Sequence, residues 1–144
     1  MNIIWGVILI IISLIGWLGQ VITALSPAVA TKLGVTEPEA DVDPTFYADV
    51  RGEAIWDALT LWILPMAGIL LVVNNPLWIY FGLVGGGMYL YFAGRGMAVR
   101  WVMQRRGVRI GQPETLKMVY VFLMLWGLTA VVTIIMAVAA LLEV

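Results

Sequence analysis

Four long apolar stretches, separated by polar connections, dominate the order of hydrophobic and polar positions in this chain. They cover about residues 2–25, 56–73, 77–98 and 116–142. A helix needs roughly 20 residues to cross a hydrocarbon core about 30 Å thick, and each stretch is close to that length. The pattern predicts an all-α integral membrane protein, a four transmembrane helix bundle that forms a single membrane domain over residues 1–144.

The first connection carries signals for short surface helices. Ser26-Pro27 predicts a helix that starts at Pro27 and stops at Gly34, because serine caps helices, proline suits the first helical turn and glycine suits the residue after the last. The acidic run 37–43 predicts an extended loop. Asp43-Pro44 then predicts a second helix start that leads into the second span.

The other two connections differ in kind. Asn74-Asn75-Pro76 predicts a tight antiparallel hairpin between the second and third spans. The run 105–113 is basic and broken by glycine. Within the second span, Pro65 predicts a kink or a freed carbonyl, since proline has no amide hydrogen to donate.

Composition supports a membrane class and removes several kinds of chemistry. The hydrophobic fraction is 62% and only 12% of residues are charged, against roughly 25% charged in typical soluble proteins. The chain has no Cys and no His. Disulfides, thiolate-bound metals and His-ligated haem are therefore excluded, as is the commonest general base near neutral pH.

Charge placement predicts the orientation. All eight basic residues fall in or beside the connections 26–55 and 99–115: Lys32, Arg51, Arg95, Arg100, Arg105, Arg106, Arg109 and Lys117. Basic loops stay in the cytoplasm. We therefore expect both connections to be cytoplasmic and both termini to lie outside, in a bacterial-type inner membrane or a plasma membrane.

Three carboxylates form a stripe on the helix that enters the second span. Asp49, Glu53 and Asp57 recur every four residues, which places them on one helix face. Counting about 1.5 Å per residue from the hairpin places Asp57 level with Arg95 and Asp49 close to Arg100. The sequence predicts either structural ion pairs that fix the hairpin or a site for a cation, a proton or a lipid headgroup.

The basic third connection is a candidate surface for anionic lipid headgroups. The four side chains that would contact them are Arg105, Arg106, Arg109 and Lys117. The alternative is that these residues serve only to orient the chain in the membrane.

Gly82 and Gly86 form a G-x-x-x-G pair in the third span. Such pairs let helix backbones approach closely. We expect them to pack against the second or fourth span, with a homo-oligomer seam as the alternative.

The sequence names no reaction. It contains no G-x-S-x-G or H-E-x-x-H motif and no phosphate-binding loop. We expect no catalytic residues, metal, cofactor or nucleic-acid partner. Membrane lipids and either further copies or other membrane subunits are the expected partners.

Three functions remain open from the sequence. The first is association, as a self-assembling bundle or an accessory subunit of a larger membrane complex. The second is a small oligomeric channel or an ion- or proton-coupled transporter that uses the carboxylate stripe. A weaker third is a metal-dependent lipid-modifying enzyme.

Overall fold

The computed structural model describes residues 2–143, and all regular structure in that range is helical, which confirms the all-α prediction there. The elements in chain order are α1 (Asn2–Leu25), α2 (Pro27–Lys32), a 3-10 turn (Glu39–Asp41), α3 (Pro44–Thr60), α4 (Ile63–Val72), α5 (Trp78–Arg105) and α6 (Pro113–Leu142).

Three helical segments within residues 2–143 are long and apolar enough to cross a membrane: Ile3–Leu25, Pro44–Val72 and Pro113–Leu142. They point to a membrane location. The second segment joins α3 to α4 and begins twelve residues before the predicted span 56–73. Helix α5, the predicted third span, is long enough but is not among the three. Its tyrosines, glycines and arginines lower its mean hydropathy, so a fourth span stays a prediction.

The segment made by α3 and α4 is interrupted at residues 61–62. Pro65 explains the position of the break, because it has no amide hydrogen for the carbonyl of Leu61, four residues earlier. The indole of Trp17 donates a 2.9 Å hydrogen bond to the Ala58 carbonyl close by. This side-chain donor stabilises the end of α3 and ties it to α1.

The four units α1, α3–α4, α5 and α6 run alternately up and down. Helix α4 packs between α1 and α5, α6 packs along α5, and α3 lies mainly on α1. Gly6 and Gly68 let α1 and α4 approach closely, since a Cβ atom on either residue would lie 3.0 Å from the other's carbonyl oxygen. The largest buried cluster includes Leu9, Leu64 and Tyr89.

The two ends of the bundle differ. At the hairpin end, Asn75 Oδ1 accepts a 3.0 Å hydrogen bond from the Leu77 amide. At the connection end, formed by residues 26–43 and 106–112, the Asp43 amide donates to the Arg109 carbonyl at 2.8 Å. Both long connections therefore meet at one end of the molecule.

Two local expectations for the first connection need correction. Ser26 precedes α2, but its side chain makes no capping hydrogen bond. The acidic run is not wholly extended, because Glu39–Asp41 forms a 3-10 turn. Asp43 does cap α3, accepting a 2.8 Å hydrogen bond from the Thr45 amide.

Candidate functional site

The predicted charged residues converge on one guanidinium. Arg95 on α5 contacts two carboxylates of the α3 stripe, with Nη2 at 2.6 Å from Asp49 Oδ1 and Nη1 at 3.0 Å from Glu53 Oε1. These are the ion pairs found among residues 2–143. The fixed fork of arginine suits such divided contacts, because its two terminal nitrogens point at different acceptors.

The predicted pairing was wrong by about two helical turns. The count along the chain placed Asp57 opposite Arg95 and Asp49 near Arg100, whereas Asp49 occupies the position opposite Arg95. The depth prediction of about 1.5 Å per residue assumes one uninterrupted helix from Asp49 to the hairpin. The break at residues 61–62 removes that continuity, and α3 then lies against α1 and touches α5 at few points.

Asp57 is thereby left without a basic partner in the described part of the chain. Its side chain is only 6% exposed. Its Oδ2 atom is buried and has no hydrogen-bond partner among residues 2–143. A buried carboxyl oxygen without a partner costs free energy, so this residue marks the site as incomplete.

A groove between α3 and α5 holds the stripe. Two adjoining cavities, of about 350 and 440 Å³, share Trp56, Asp57 and Tyr91 and together form what we call the α3–α5 groove. Trp56 and Tyr91 are 64% and 67% exposed at its mouth. Gly52 and Gly87 line it, and a Cβ atom on either would meet no atom within 4 Å. Residues 2–143 therefore leave this face uncovered.

Arg100 lies apart from this groove. Its Nη1 donates a 3.0 Å hydrogen bond to the Gly96 carbonyl, and its guanidinium lies 5.5 Å from the centre of the Phe46 ring. Within residues 2–143, no carboxylate lies within 4.0 Å of it. Arg100 lines a separate cavity of about 330 Å³ between α1 and α6, which we call the α1–α6 cavity. Glu53 lines both this cavity and the groove.

The basic residues of the third connection surround the connection end. Arg105, Arg106, Arg109 and Lys117 are all exposed. Arg105 stacks on Trp101, with its guanidinium 4.2 Å from the ring centre. None of the four makes an ion pair with the described residues.

Gly82 and Gly86 face α6 within the same chain. A Cβ atom at Gly82 would lie 3.4 Å from Thr133 Cγ2, and one at Gly86 would lie 2.7 Å from Ile134 Cγ1. In the structure, the pair therefore lies against the predicted fourth span.

Two aromatic side chains, for which the sequence favours packing over a pocket, fasten α1 to the bundle. The Tyr89 hydroxyl donates to the Ser13 carbonyl, and Trp126 Nε1 donates to the Ile12 carbonyl at 2.9 Å. The sequence does not show which helix they bond to; both rings pack beside Gly16 of α1. A small residue of this kind makes room for an aromatic ring.

The arrangement joins one guanidinium to two carboxylates. Among the described residues, no three acidic, Cys or His side chains are grouped to hold a metal ion. Comparison with protein-family models, curated proteins and solved structures finds no match.

Proposed function

We propose that this chain is an integral membrane protein with four spans, namely α1, the α3–α4 segment, α5 and α6. Helix α5 is included as a span because residues 78–94 carry no charge and extend about 26 Å as a helix. It also lies between α4 and α6. Arg95 then falls near the edge of the hydrocarbon, where a long arginine side chain reaches polar surroundings.

The charge distribution supports a cytoplasmic connection end in a bacterial-type inner membrane or a plasma membrane, with both termini outside. Single cysteines introduced into this Cys-free chain test the orientation. We expect a membrane-impermeant thiol reagent to label Asn75→Cys from outside and Arg106→Cys only after the membrane is opened. Labelling of Arg106→Cys in intact cells would contradict this orientation.

Within this topology, we propose that the protein works by association through the α3–α5 groove. The observation that carries the proposal is Asp57, a buried carboxyl with an unpartnered oxygen beside an uncovered groove. It shares that groove with Gly87, which lies about 14 Å along α5 from Trp78 and so near the middle of the membrane. Lipid chains offer no hydrogen bonds there, whereas a partner helix does.

A second copy of this chain is the occupant that the groove favours. It carries an acid and a base side by side, with Asp49 and Arg95 each about a quarter exposed. In a two-fold dimer the same patch meets itself, so each acid can meet the partner's base. Gly87, Tyr91 and Gly94 form an exposed stripe with small residues, along which helices can approach.

The oligomeric state tests this proposal. We expect wild-type protein, extracted with its native lipid in polymer discs, to have the mass of a dimer or larger assembly. Gly87→Leu, which fills the stripe, should give monomers. Ala139→Leu, a similar enlargement of an exposed position on α6, should not. A monomeric wild type would refute self-association, and a different co-purifying membrane subunit would identify the chain as an accessory subunit instead.

Asp57 also favours a second candidate, an ion- or proton-coupled channel or transporter. Ionisable groups at membrane depth commonly lie on ion and proton pathways. We would expect ion or proton flux into proteoliposomes to disappear in Asp57→Asn while the variant remains folded. Absence of flux for H⁺, Na⁺ and K⁺ in the wild type would remove this candidate.

A further inference from the structure

The α1–α6 cavity has the form of a site for an alkyl chain. Its volume of about 330 Å³ lies within the range of small-molecule pockets, roughly 300–1,000 Å³. Its walls are mostly apolar and include Ile15, Val35, Met118, Phe122 and Trp126. Apolar walls of this kind accept apolar ligands.

One end of the cavity is polar. Arg100, Glu53 and Gln20 line it there. Glu53 lies 3.0 Å from Arg95, which it shares with Asp49, whereas no carboxylate among residues 2–143 lies within 4.0 Å of Arg100. A guanidinium has five N–H donors, and the hydrogen bond found for Arg100 goes from Nη1 to Gly96. Its remaining donors suit an oxyanion such as phosphate.

The cavity opens sideways on the outside of the bundle. Ile15, Met118 and Phe122 line it and are 54%, 49% and 38% exposed. The opening is therefore at the surface that would contact lipid if α1 and α6 span the membrane.

The depths of the polar and apolar ends of the cavity in the proposed membrane match those of a lipid headgroup and its acyl chain. Arg100 is 22 residues from Trp78, or about 33 Å along α5, which corresponds to the inner edge of a core about 30 Å thick. Trp126 lies beside Phe92, about 12 Å nearer the middle of the membrane on the same count. A ligand with its anionic group on Arg100 would point its tail into the hydrocarbon.

We propose that the α1–α6 cavity binds an anionic phospholipid of the inner leaflet, with its phosphate on Arg100 and one acyl chain between α1 and α6. This inference rests on the proposed membrane insertion. It does not rest on the proposed association, because the α3–α5 groove is a different opening that shares only Glu53 with the cavity.

Photo-crosslinking tests the site. The probes are phosphatidylglycerol and phosphatidylcholine, each with a diazirine on one acyl chain, in discs that contain the purified full chain. We expect phosphatidylglycerol to label peptides of α1 and α6. Arg100→Gln should lower this labelling about tenfold, since a lost charged hydrogen bond is worth about 1.5 kcal/mol or more. Arg51→Gln removes the same charge outside the cavity and should change it little.

A variant that fills the cavity tests lipid binding without changing any charge. Gly19 lines the cavity, and a Cβ atom there would meet only Val35 Cγ1, at 3.5 Å. Gly19→Leu should therefore fold, as judged by unchanged resistance to SDS unfolding, and should lose the α1 and α6 labels from both lipids.

Three results would overturn the proposal: labelling that persists in Gly19→Leu, equal losses in Arg100→Gln and Arg51→Gln, or displacement of the probe by oleate but not by phosphatidylglycerol. The last would reassign the cavity to a fatty acid. If the chain forms no dimer but the labelling behaves as expected, association fails and the lipid site stands.

Discussion

Three consecutive glycines on α5 face three different surroundings. Substituting each in turn therefore tests how α5 packs against its neighbouring helices. A Cβ atom at Gly85 would lie 2.7 Å from Leu64 N and 2.8 Å from Leu64 Cα. At Gly86 it would lie 2.7 Å from Ile134 Cγ1, and at Gly87 it would meet nothing within 4 Å. Alanine substitution therefore adds the same methyl group against backbone, against a side chain and against open space.

The expected effects follow from two opposing contributions. Alanine favours a helix over glycine by roughly 0.5–1 kcal/mol, while overpacking costs typically about 1–3 kcal/mol. At Gly85 the obstacle is backbone, which cannot rotate away, so we expect a net loss of about 2 kcal/mol. At Gly86 the obstacle is Ile134 Cγ1, which a β-branched side chain in a helix cannot readily move, and the Ala130 carbonyl oxygen would lie 3.3 Å away, so we expect a smaller net loss of about 1 kcal/mol. At Gly87 no overpacking cost arises, so only the gain in helix propensity of roughly 0.5–1 kcal/mol remains.

Reversible unfolding in SDS mixed micelles, dilute enough to keep the chain monomeric, measures these differences. The predicted order of stability is Gly87→Ala first, then wild type, then Gly86→Ala, then Gly85→Ala. Equal loss in Gly85→Ala and Gly87→Ala would refute the assignment of an open face. Full tolerance of Gly85→Ala would refute the close approach of α4 and α5.

Other predictions concern polar contacts and use the same unfolding assay. Arg95→Gln should destabilise the fold by about 1–3 kcal/mol by leaving carboxylates unpaired, and adding Glu53→Gln should recover part of this; no recovery would mean that the ion pair contributes little. Tyr89→Phe should cost about 1 kcal/mol through its lost hydrogen bond to α1, and an unchanged midpoint would contradict that bond. Asp43→Ala should cost about 1 kcal/mol as a lost helix cap, whereas Asp43→Asn should be tolerated.

Local chemistry made several helix ends predictable from the sequence. Pro44, preceded by a capping aspartate, starts α3 as expected, and α1 coincides with the first apolar stretch. These ends depend on residues that are adjacent in the chain. The membrane location was predictable from hydropathy alone. Hydropathy is less informative for α5, because glycines that serve helix packing also lower the mean hydropathy of the helix.

The composition of the candidate site was predictable, whereas its pairing was not. The spacing of Asp49, Glu53 and Asp57 identified one face of α3, and Arg95 was expected on the neighbouring helix. Which acid meets Arg95 depends on the direction that α3 takes after the break at residues 61–62. Sequence signalled the break through Pro65 but gave no direction, because the direction is set by contacts with α1.

Glycine contacts between distant helices were likewise beyond sequence reasoning. Gly6 and Gly68 are isolated in sequence and belong to no recognisable pair, yet they meet where α1 crosses α4. The open face of α5 was equally hidden. Gly87 is indistinguishable from Gly85 and Gly86 until the neighbours of each are known.

Disulfide crosslinking along the stripe of α5 tests the proposed association most directly. The chain has no native cysteine, so Gly87→Cys, Tyr91→Cys and Gly94→Cys each provide a single reporter. Crosslinking requires Cα atoms within about 7 Å. In native membranes, we predict a covalent dimer from at least one of the three and none from Ile135→Cys, an exposed position on α6. Crosslinking at Ile135→Cys with none along the stripe would contradict association through the α3–α5 groove.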